Sequence, residues 1–391
     1  MMERPLKIVL FANTDWYLWN FRRELIESLR RSNWEVILVS PPGTCGERFL
    51  ALGVKWIALQ MQRNSVNPLR ELSAVASLCA IYRREKPDLV HHFTLKSVIH
   101  GFLAAWFAGI RVRVNAIAGL GYIFCSQDYR ARLLRPVVRL LLKAALSGKS
   151  SVTIFQNPED AQSLTLHGMV AAGQSRVIRG SGVDTRRFDS APRKENGRCR
   201  VLLATRLLWS KGVGDYVAAA RSLARAGLDA DFLIAGAPDP GSPDSIPEKV
   251  IESWRAEDDV MFLGHVDDMD QLLKTVDIVV LPSRYAEGVP RILLEAAASA
   301  IALVATDRPG CREIVVHNIT GVLVPPGDVA ALADALRSLI VDPARRTALG
   351  QAARRKAQLE FEESQVIQAT IEVYREAIGM SGPTDRQARS T

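Results

Sequence analysis

The sequence predicts an α/β protein built from two doubly wound, Rossmann-like domains. Short β-rich apolar runs alternate with longer helical patterns along the chain, which is typical of repeated βαβ units and of parallel sheets covered by helices. The length of 391 residues corresponds to two or three domains, and 48% hydrophobic with 24% charged residues is an ordinary globular composition. No segment repeats at a period of about 20 to 50 residues, which excludes a solenoid.

Six strands are predicted in each half of the chain. Those of the first half are Lys7–Asn13, Glu35–Pro41, Lys55–Met61, Asp88–Thr94, Arg111–Gly119 and Ser151–Gln156. Those of the second half are Arg200–Arg206, Asp231–Gly236, Val260–Val266, Ile278–Ser283, Ala302–Thr306 and Gly321–Val324. Helices lie between them. For example, Asn67-Pro68 begins a helix that ends at Lys86, because Pro87 disfavours the α conformation in the residue before it.

A turn-rich, polar stretch from Gly180 to Gly197 separates the two sets of strands and indicates a domain boundary. We therefore expect a first domain at residues 1–185 and a second at residues 186–360. A helical pattern over 361–380 is expected to pack back on the first domain. The tail at 381–391 has no apolar periodicity and is expected to be disordered.

The two halves differ in charge. Residues 1–190 hold 26 Lys and Arg against 14 Asp and Glu, whereas the remaining residues hold 24 against 28. This asymmetry indicates an anionic partner for the first half alone, which would be nucleic acid, a membrane surface or a phosphorylated lipid.

Cysteine usage and hydropathy indicate the cellular compartment in which the protein is expected. The five cysteines are odd in number and have no Cys-x-x-Cys spacing, which favours a reduced, cytosolic protein without a zinc site. The first apolar stretch is too short for a signal peptide. The longest weakly polar run, Val98 to Ile110, is shorter than the roughly 18 residues that span a bilayer, so we expect no membrane-spanning segment.

Two short acidic patterns resemble metal sites. Asp229-x-Asp231 enters a predicted strand, and Asp268-x-Asp270 begins a helix, where acidic residues suit the helix dipole. We interpret both as structural.

Two basic residues follow the first strand of the second domain. Arg206 and Lys211 lie where a strand gives way to a helix, and ligands of open α/β sheets bind at such strand ends. The two cations can converge on one anionic group, and Gly212 allows a close approach of the backbone. Considered alone, the pair would be interpreted as two solvated cations on a loop.

Two carboxylates lie about 75 residues further on, around a strand end, a Gly turn and a helix with Pro290 near its first turn. The amino end of such a helix suits a phosphate. Glu295 inside the helix can accept two ribose hydroxyls, and Glu287 on the preceding loop can bind a sugar hydroxyl. A lone Glu295 would be an ordinary surface residue, but its combination with Glu287, Arg206 and Lys211 indicates a binding site.

The spacing Arg206-x4-Lys211-Gly212 followed by Glu287-x7-Glu295 resembles the retaining glycosyltransferases of family 4, which have the two-domain GT-B fold. Further matching stretches occur in the family's order from the domain junction across the second domain. They are Ser181-Gly182-Val183-Asp184, Phe262-Leu263-Gly264, Thr306-Asp307-Arg308-Pro309-Gly310-Cys311-Arg312-Glu313 and Gly321-Val322-Leu323-Val324-Pro325. The resemblance implies two Rossmann-like domains facing a central cleft and a nucleotide-sugar donor, a UDP-sugar.

Carried over residue by residue, the resemblance implies that Arg206 and Lys211 hold the donor diphosphate, Glu295 the ribose and Glu287 the transferred sugar. The donor-binding set that it implies is Arg206, Lys211, Gly288, Val289, Arg291, Ile292 and Glu295. The chain departs from the family's usual Glu-Gly-Phe-Gly because Pro290 removes one N–H.

Three stretches of the first domain resemble the branch that extends undecaprenyl-diphosphate-linked saccharides in capsule, exopolysaccharide, lipopolysaccharide or glycan assembly. They are Trp16–Arg22, Pro87–Lys96 and Gly119–Tyr122. The implied acceptor is a lipid-linked saccharide, and Lys96 is expected on the acceptor face. Many relatives carry a sugar-contacting histidine where this chain has Phe93. His92 is the candidate here, and the alternative is a pair of strand histidines of which one is buried.

The resemblance implies no metal and no other cofactor. Arg206, Lys211 and a helix dipole can stabilise the departing nucleoside diphosphate. Retention without a well-placed carboxylate nucleophile implies front-face attack, in which the leaving phosphate oxygen takes the acceptor proton.

Basic and apolar residues alternate at helical spacing from Tyr129 to Lys143, as in an interfacial helix. Arg132, Arg135 and Arg139 would then face anionic lipid, and the protein would be cytoplasmic and peripheral on the inner face of the plasma membrane. The alternative is a helix with one face packed on the sheet and a solvated basic face.

Two other functions are compatible with parts of the sequence. A UDP-sugar 2-epimerase has the same architecture but needs no lipid acceptor. A basic nucleic-acid-binding protein would explain the charge of the first half, but the basic residues are not interleaved with aromatics in a recognisable module and the second half is acidic. We therefore expect no nucleic-acid partner.

Overall fold

The computed structural model describes residues 4–63, 65, 67–119, 129–148, 150–189 and 197–380. They divide into two compact units, the first unit (residues 4–181 and 366–380) and the second unit (residues 182–365). The division falls after residue 181, whereas the predicted boundary follows residue 185. The predicted tail at 381–391 lies outside the described residues. None of the helices within the described ranges is long and apolar enough to cross a bilayer.

The described strands of the first unit form one parallel sheet. They are β1 (Lys7–Phe11), β2 (Glu35–Ser40), β3 (Lys55–Ala58), β4 (Leu89–Phe93), β5 (Arg113–Ile117), β6 (Ser151–Phe155) and β7 (Ser175–Val177), in the order β3-β2-β1-β4-β5-β6-β7. All six predicted strands are present, and β7 was missed because three residues are too few to show a period. The chain progresses in opposite directions from β1 and β4, which are neighbours, and such a reversal opens a crevice at the carboxyl ends of the strands.

Helices cover this sheet. They are α1 (Asp15–Arg31), α2 (Gly46–Ala51), α3 (Pro68–Glu85), α4 (Leu95–Ala108), α5 (Tyr129–Leu146) and α6 (Pro158–Leu166). α3 begins and ends as predicted. The Asn67 side chain accepts hydrogen bonds from the backbone N–H groups of Leu69 and Arg70, and Lys86 ends the helix in the left-handed conformation with φ of 47°.

The second unit repeats this plan. Its strands are β8 (Cys199–Ala204), β9 (Ala230–Ala235), β10 (Met261–Gly264), β11 (Ile278–Leu281), β12 (Ala302–Thr306) and β13 (Val322–Val324), in the order β10-β9-β8-β11-β12-β13 and all parallel. Its helices are α7 (Val213–Arg225), α8 (Glu248–Ala256), α9 (Met269–Leu273), α10 (Arg291–Ala298), α11 (Cys311–Ile314), α12 (Val329–Ile340) and α13 (Pro343–Glu360). The two predicted α/β domains with parallel sheets are confirmed.

The last helix, α14 (Glu363–Gly379), belongs almost entirely to the first unit. Its buried face, which includes Ile371 and Tyr374, is part of the same core cluster as Leu10 and Leu38 of the first sheet. Every residue of β4, β11 and β12 is buried, because helices cover both faces of a parallel sheet. The sheets are therefore rigid supports for the loops at their carboxyl ends.

Candidate active site

Two loops meet at one edge of the second sheet. β8 and β11 are hydrogen-bonded neighbours, so the loops that follow them emerge side by side. Gly212 has φ of 70°, and a Cβ at this position would overlap the carbonyl oxygen of Pro282. Glycine therefore permits the close approach that brings Lys211 against the loop carrying Glu287.

Lys211 and Glu287 form an ion pair in which each side chain is 18% exposed. Ser283 Oγ donates a hydrogen bond to the same carboxylate at 2.6 Å. Burial opposes ionisation of Glu287, but the charge and hydrogen bond of Lys211, with smaller contributions from Ser283 and Arg206, hold the pKa of Glu287 below its ordinary value. The carboxylate is therefore ionised at neutral pH.

Arg206 forms an ion pair with Asp239, which lies on the loop after β9. The Arg206 side chain is 48% exposed and that of Asp239 is 13% exposed, so the guanidinium can still reach a ligand. Sequence reasoning missed Asp239, which is 33 residues from Arg206. Its position after a strand that neighbours β8 is the signal that could have found it.

A second ion pair supports the loop that carries Glu287. Arg284 donates to the Asp215 carboxylate from Nη2 at 2.5 Å and from Nε at 2.9 Å. Its backbone N–H also donates to the Ser210 carbonyl at 2.8 Å. Asp215 lies buried in the first turn of α7, so this contact joins the Glu287 loop to the helix that follows Lys211. Sequence reasoning singled out neither residue of this pair.

Glu295 lies in α10, with its carboxylate largely buried. Arg291 Nε donates to Glu295 Oε1 at 2.6 Å from one turn earlier in the helix. Burial raises the pKa of Glu295, although the charges of Arg291 and Arg187 oppose this. Pro290 is the residue before the first helical residue, so its missing N–H costs no hydrogen bond within the helix.

The segment from Gly288 to Ile292 lies in the chain between Glu287 and Glu295. Val289 is buried, and a Cβ at Gly310 would overlap the carbonyl oxygens of Glu287 and Gly288. The loop after β12 therefore lies against this turn. The structure thus brings Arg206, Lys211 and Glu287 together, with Glu295 at the end of the same segment.

The prediction that His92 contacts the transferred sugar is wrong in this structure. His92 is fully buried in β4, where its Nδ1 lies 2.9 Å from Asn115 Oδ1 and its Nε2 lies 3.1 Å from the Tyr82 hydroxyl. Burial lowers the pKa of His92 to about 3, so the ring is neutral. His91, the other strand histidine, is also buried and is hydrogen-bonded to the Tyr374 hydroxyl. A strand pattern does not distinguish a core histidine from an accessible one.

The ammonium of Lys96, which is predicted to lie on the acceptor face, is held by contacts within the first unit. Its ammonium donates to the Gln62 carbonyl at 2.7 Å, the Ser65 carbonyl at 2.9 Å and Glu71 Oε1 at 3.0 Å. These contacts occupy three donors and hold the loop before α3. Of the predicted Gly119–Tyr122 stretch, residues 120–122 lie outside the described residues.

The helix α5 is buried at one end and exposed along another part of its surface. Leu142 and Leu146 are buried in a core cluster with α4 and β6 residues. Leu140 is 70% exposed, and Arg132 and Arg139 are exposed as well. One end of α5 is therefore packed on the first unit, while an apolar and basic surface remains open to solvent.

Within the described ranges, no group of three or more His, Cys, Asp or Glu side chains is arranged to hold a metal ion. The two Asp-x-Asp patterns are paired with arginines. Asp229 and Asp231 both contact Arg198, and Asp270 contacts Arg187. Their predicted structural role agrees with these contacts.

Comparison with known proteins matches both halves of the chain to glycosyltransferase families. Residues 184–356 match the family "Glycosyl transferases group 1", and residues 7–157 match "Glycosyl transferase 4-like". Together these matches cover both predicted domains.

Full-length relatives have the same organisation. The chain is 27% identical, over 94% of its length and 98% of the relative's, to the N,N'-diacetylbacillosaminyl-diphospho-undecaprenol alpha-1,3-N-acetylgalactosaminyltransferase of Campylobacter jejuni. It is 23% identical to the capsular polysaccharide biosynthesis glycosyltransferase CapM of Staphylococcus aureus, over 90% of this chain and 92% of that one.

Solved structures share the fold. The Anabaena HepE structure in complex with UDP-glucose superposes with a TM-score of 0.76 at 20% identity, over 94% of this chain and 99% of that chain. The paired parallel-sheet domains, the site at the edge of the second sheet and the two family matches lead to one assignment. The chain is a glycosyltransferase of the GT-B fold, with a glycosyl transferase 4-like first domain and a group 1 second domain.

Proposed function

We propose that this glycosyltransferase moves a sugar from a UDP-sugar to a lipid-linked saccharide, with retention of anomeric configuration and without a metal ion. The observation that carries the proposal is the cluster of Arg206, Lys211 and Glu287 at the carboxyl edge of the second sheet. A nucleoside diphosphate is the ligand whose charge suits two converging cations at this position.

Each of the two cations is paired with a carboxylate in the absence of ligand. Arg206 contacts Asp239, and Lys211 contacts Glu287. These partners orient the cations, so little reorganisation is needed when a diphosphate binds. During transfer, negative charge develops on the leaving diphosphate, and preoriented cations stabilise that charge more than they stabilise the ground state.

The two glutamates have different environments, which supports different roles. Glu295 is held by Arg291 inside a helix and is assigned to the ribose. Glu287 stays ionised beside Lys211 at the loop and is assigned to a hydroxyl of the transferred sugar. Since neither carboxylate is assigned as a nucleophile, the acceptor hydroxyl attacks from the face that the diphosphate leaves, and a phosphate oxygen takes its proton.

The acceptor assignment is supported by the relatives and by the charge of the first half. The Campylobacter relative is named for a diphospho-undecaprenol-linked substrate and the Staphylococcus relative for capsular polysaccharide biosynthesis. The surface of α5 that exposes Leu140, Arg132 and Arg139 suits a peripheral contact with the anionic inner face of the plasma membrane.

The donor is identified by incubating the purified protein with a panel of nucleotide sugars and measuring protection against thermal unfolding. We expect a UDP-sugar to protect. The protecting sugar is then supplied with a prenyl-diphosphate-linked saccharide, and the anomeric configuration of the product is determined by NMR. Interconversion of the UDP-sugar without any acceptor would indicate an epimerase and would contradict the proposal.

A further inference from the structure

One buried cation of the first unit, Arg22, forms no ion pair with the residues that the structure describes. Arg22 lies in α1 and is 7% exposed. Its Nη2 donates to the Tyr17 hydroxyl at 3.0 Å, and its Nε–H has no acceptor among the described residues. Its guanidinium carbon lies 4.7 Å from the centre of the Phe93 ring and 5.6 Å from that of Tyr17. Ring faces and a hydroxyl therefore surround a full positive charge.

The acidic residues of α1 are engaged elsewhere. Asp15 accepts hydrogen bonds from the backbone N–H groups of Trp16, Cys45 and Gly46. Glu24 pairs with Arg31, and Glu27 pairs with Arg23. Neutralisation of Arg22 by its own helix is thus ruled out.

A buried guanidinium without an anionic partner is costly. Removing a charge from water is costly even after relaxation of the protein, and cation–π contacts offset that cost only in part. Other inward positions of α1, such as Leu18 and Leu25, are apolar. Folding stability alone would therefore favour an apolar side chain at position 22 as well. A charge kept at such a cost is typical of a ligand-binding group.

The position of Arg22 in the fold agrees with a ligand-binding role. Its Phe93 contact is the last residue of β4, and Tyr17 lies in the first turn of the helix that follows β1. β1 and β4 are the neighbours at which the strand order reverses, and this is the crevice where open α/β sheets bind ligands. The amino end of the 14-residue α4 begins at the same end of β4 and adds a positive dipole there.

We propose that Arg22, together with the Tyr17 hydroxyl, binds a phosphate oxyanion at this reversal of strand order, and that the oxyanion is the diphosphate of the acceptor. The Nε–H and an Nη–H of one guanidinium form a fork that matches two phosphate oxygens. Only the identity of the anion as the acceptor's diphosphate rests on the proposed function. Binding of an oxyanion by Arg22 is independent of the proposed function.

The test uses the full chain carrying Arg206→Ala and Lys211→Ala, so that the predicted donor site does not bind the probes. Calorimetry measures the affinities for inorganic pyrophosphate and for farnesyl diphosphate. Adding Arg22→Met is expected to weaken both about tenfold or more, the usual effect of losing a charged hydrogen bond. The matched control is Arg23→Met, an exposed arginine of the same helix whose contacts are Glu27 and Trp19. It is expected to leave both affinities within about twofold.

The same variants separate a binding role from a structural one. If Arg22 is kept for a ligand, Arg22→Met without ligand unfolds at the parent temperature or above it. A clear drop in unfolding temperature, or unchanged pyrophosphate affinity, would overturn the proposal. Equal affinities for pyrophosphate and farnesyl diphosphate in the parent would overturn the acceptor assignment.

Two further measurements complete the test. Tyr17→Phe keeps the ring stack and removes only the hydroxyl, so it tests the site if Arg22→Met does not fold. We expect it to weaken pyrophosphate binding several-fold, and an unchanged affinity would count against the site. Binding of UDP to the chain with intact Arg206 and Lys211 is measured separately. Failure to bind UDP would contradict the proposed donor and would leave the Arg22 result standing.

Discussion

Lys211 and Glu287 form an ion pair across two loops, 76 residues apart in the chain, at the carboxyl edge of the second sheet. Gly212 permits the approach, and the Asp215–Arg284 pair joins the Glu287 loop to the helix that follows Lys211. The cation proposed to hold the donor and the carboxylate proposed to hold the sugar are therefore positioned by one another before any ligand binds.

Arg206→Ala is expected to lower kcat/KM for transfer. The expected loss of transition-state stabilisation is about 2–4 kcal/mol, which is the usual effect of removing one oxyanion donor. The reason is that the leaving diphosphate loses one of its two cations. Steady-state kinetics with the donor identified by thermal protection measures the effect. Arg225→Ala, an exposed arginine at the last turn of α7, is the control. Turnover by Arg206→Ala within a few-fold of the parent would refute the assignment.

Glu295→Gln and Glu287→Gln are expected to separate two binding functions. Glu295→Gln should weaken binding of free UDP, because this carboxylate is assigned to the ribose. Glu287→Gln should largely preserve UDP binding and reduce transfer, since its assigned contact is with the sugar. Calorimetry with UDP and a transfer assay on both variants decide the question, and equal losses of UDP affinity would mean that the roles are wrongly divided.

Transfer is expected to continue in EDTA, because Arg206 and Lys211 supply the positive charge that a metal ion supplies in other transferases. The measurement is a transfer assay after dialysis against EDTA, with and without added Mg²⁺ or Mn²⁺. Activity that disappears in EDTA and returns with either metal would contradict this expectation.

The stability of the first unit is expected to fall with acid because His92 is buried in its neutral form. Its pKa in the folded protein is about 3, against an ordinary value of 6.5. Between these values the unfolded chain binds a proton that the folded chain does not. Stability from this residue is therefore complete above pH 6.5 and is lost as the pH falls, by up to ~1.4 kcal/mol per pH unit.

His92→Gln removes this titration while leaving an amide that can hydrogen-bond. Urea unfolding of the parent and the variant between pH 7 and pH 4 measures the difference, and the variant is expected to show the shallower dependence. The same pH dependence in both proteins would show that His92 does not titrate as its burial requires.

The exposed surface of α5 is expected to hold the protein on anionic membranes. Each basic residue near the surface contributes about 1 kcal/mol, and salt screens the attraction. Replacing Arg132, Arg135 and Arg139 by Glu should detach the protein from anionic liposomes in a flotation assay and slow transfer to a lipid-linked acceptor, without changing UDP affinity.

The matched control for this surface is Arg225, Lys249 and Arg255 replaced by Glu, which makes the same charge change at exposed positions of the second unit. This control should float with anionic liposomes as the parent does. If the α5 variant also floats normally, then the basic face of α5 is a solvated surface and another part of the chain must meet the membrane.

The two α/β domains with parallel sheets could be predicted from the sequence. Strands that are buried on both faces are continuous apolar runs in the sequence. Local residues such as Asn67 and Pro87 mark where a helix begins and ends. The candidate residues Arg206, Lys211 and Glu287 could likewise be predicted, because each follows a strand at the edge where ligands bind, and Glu295 lies in the helix after the Glu287 loop. These are local features, and local features do not depend on the rest of the fold.

Which side chains meet, and which are buried, could not be predicted from the sequence. Asp239 and Asp215 come from other loops, and no spacing in the sequence links them to Arg206 or Arg284. The family resemblance assigned His92 to the sugar, and its burial against Tyr82 could not be predicted from the sequence. The contact of the Arg22 guanidinium with Phe93 depends on how α1 packs against β4, which the sequence does not show. Burial and pairing depend on contacts between distant segments, and only the folded chain brings those segments together.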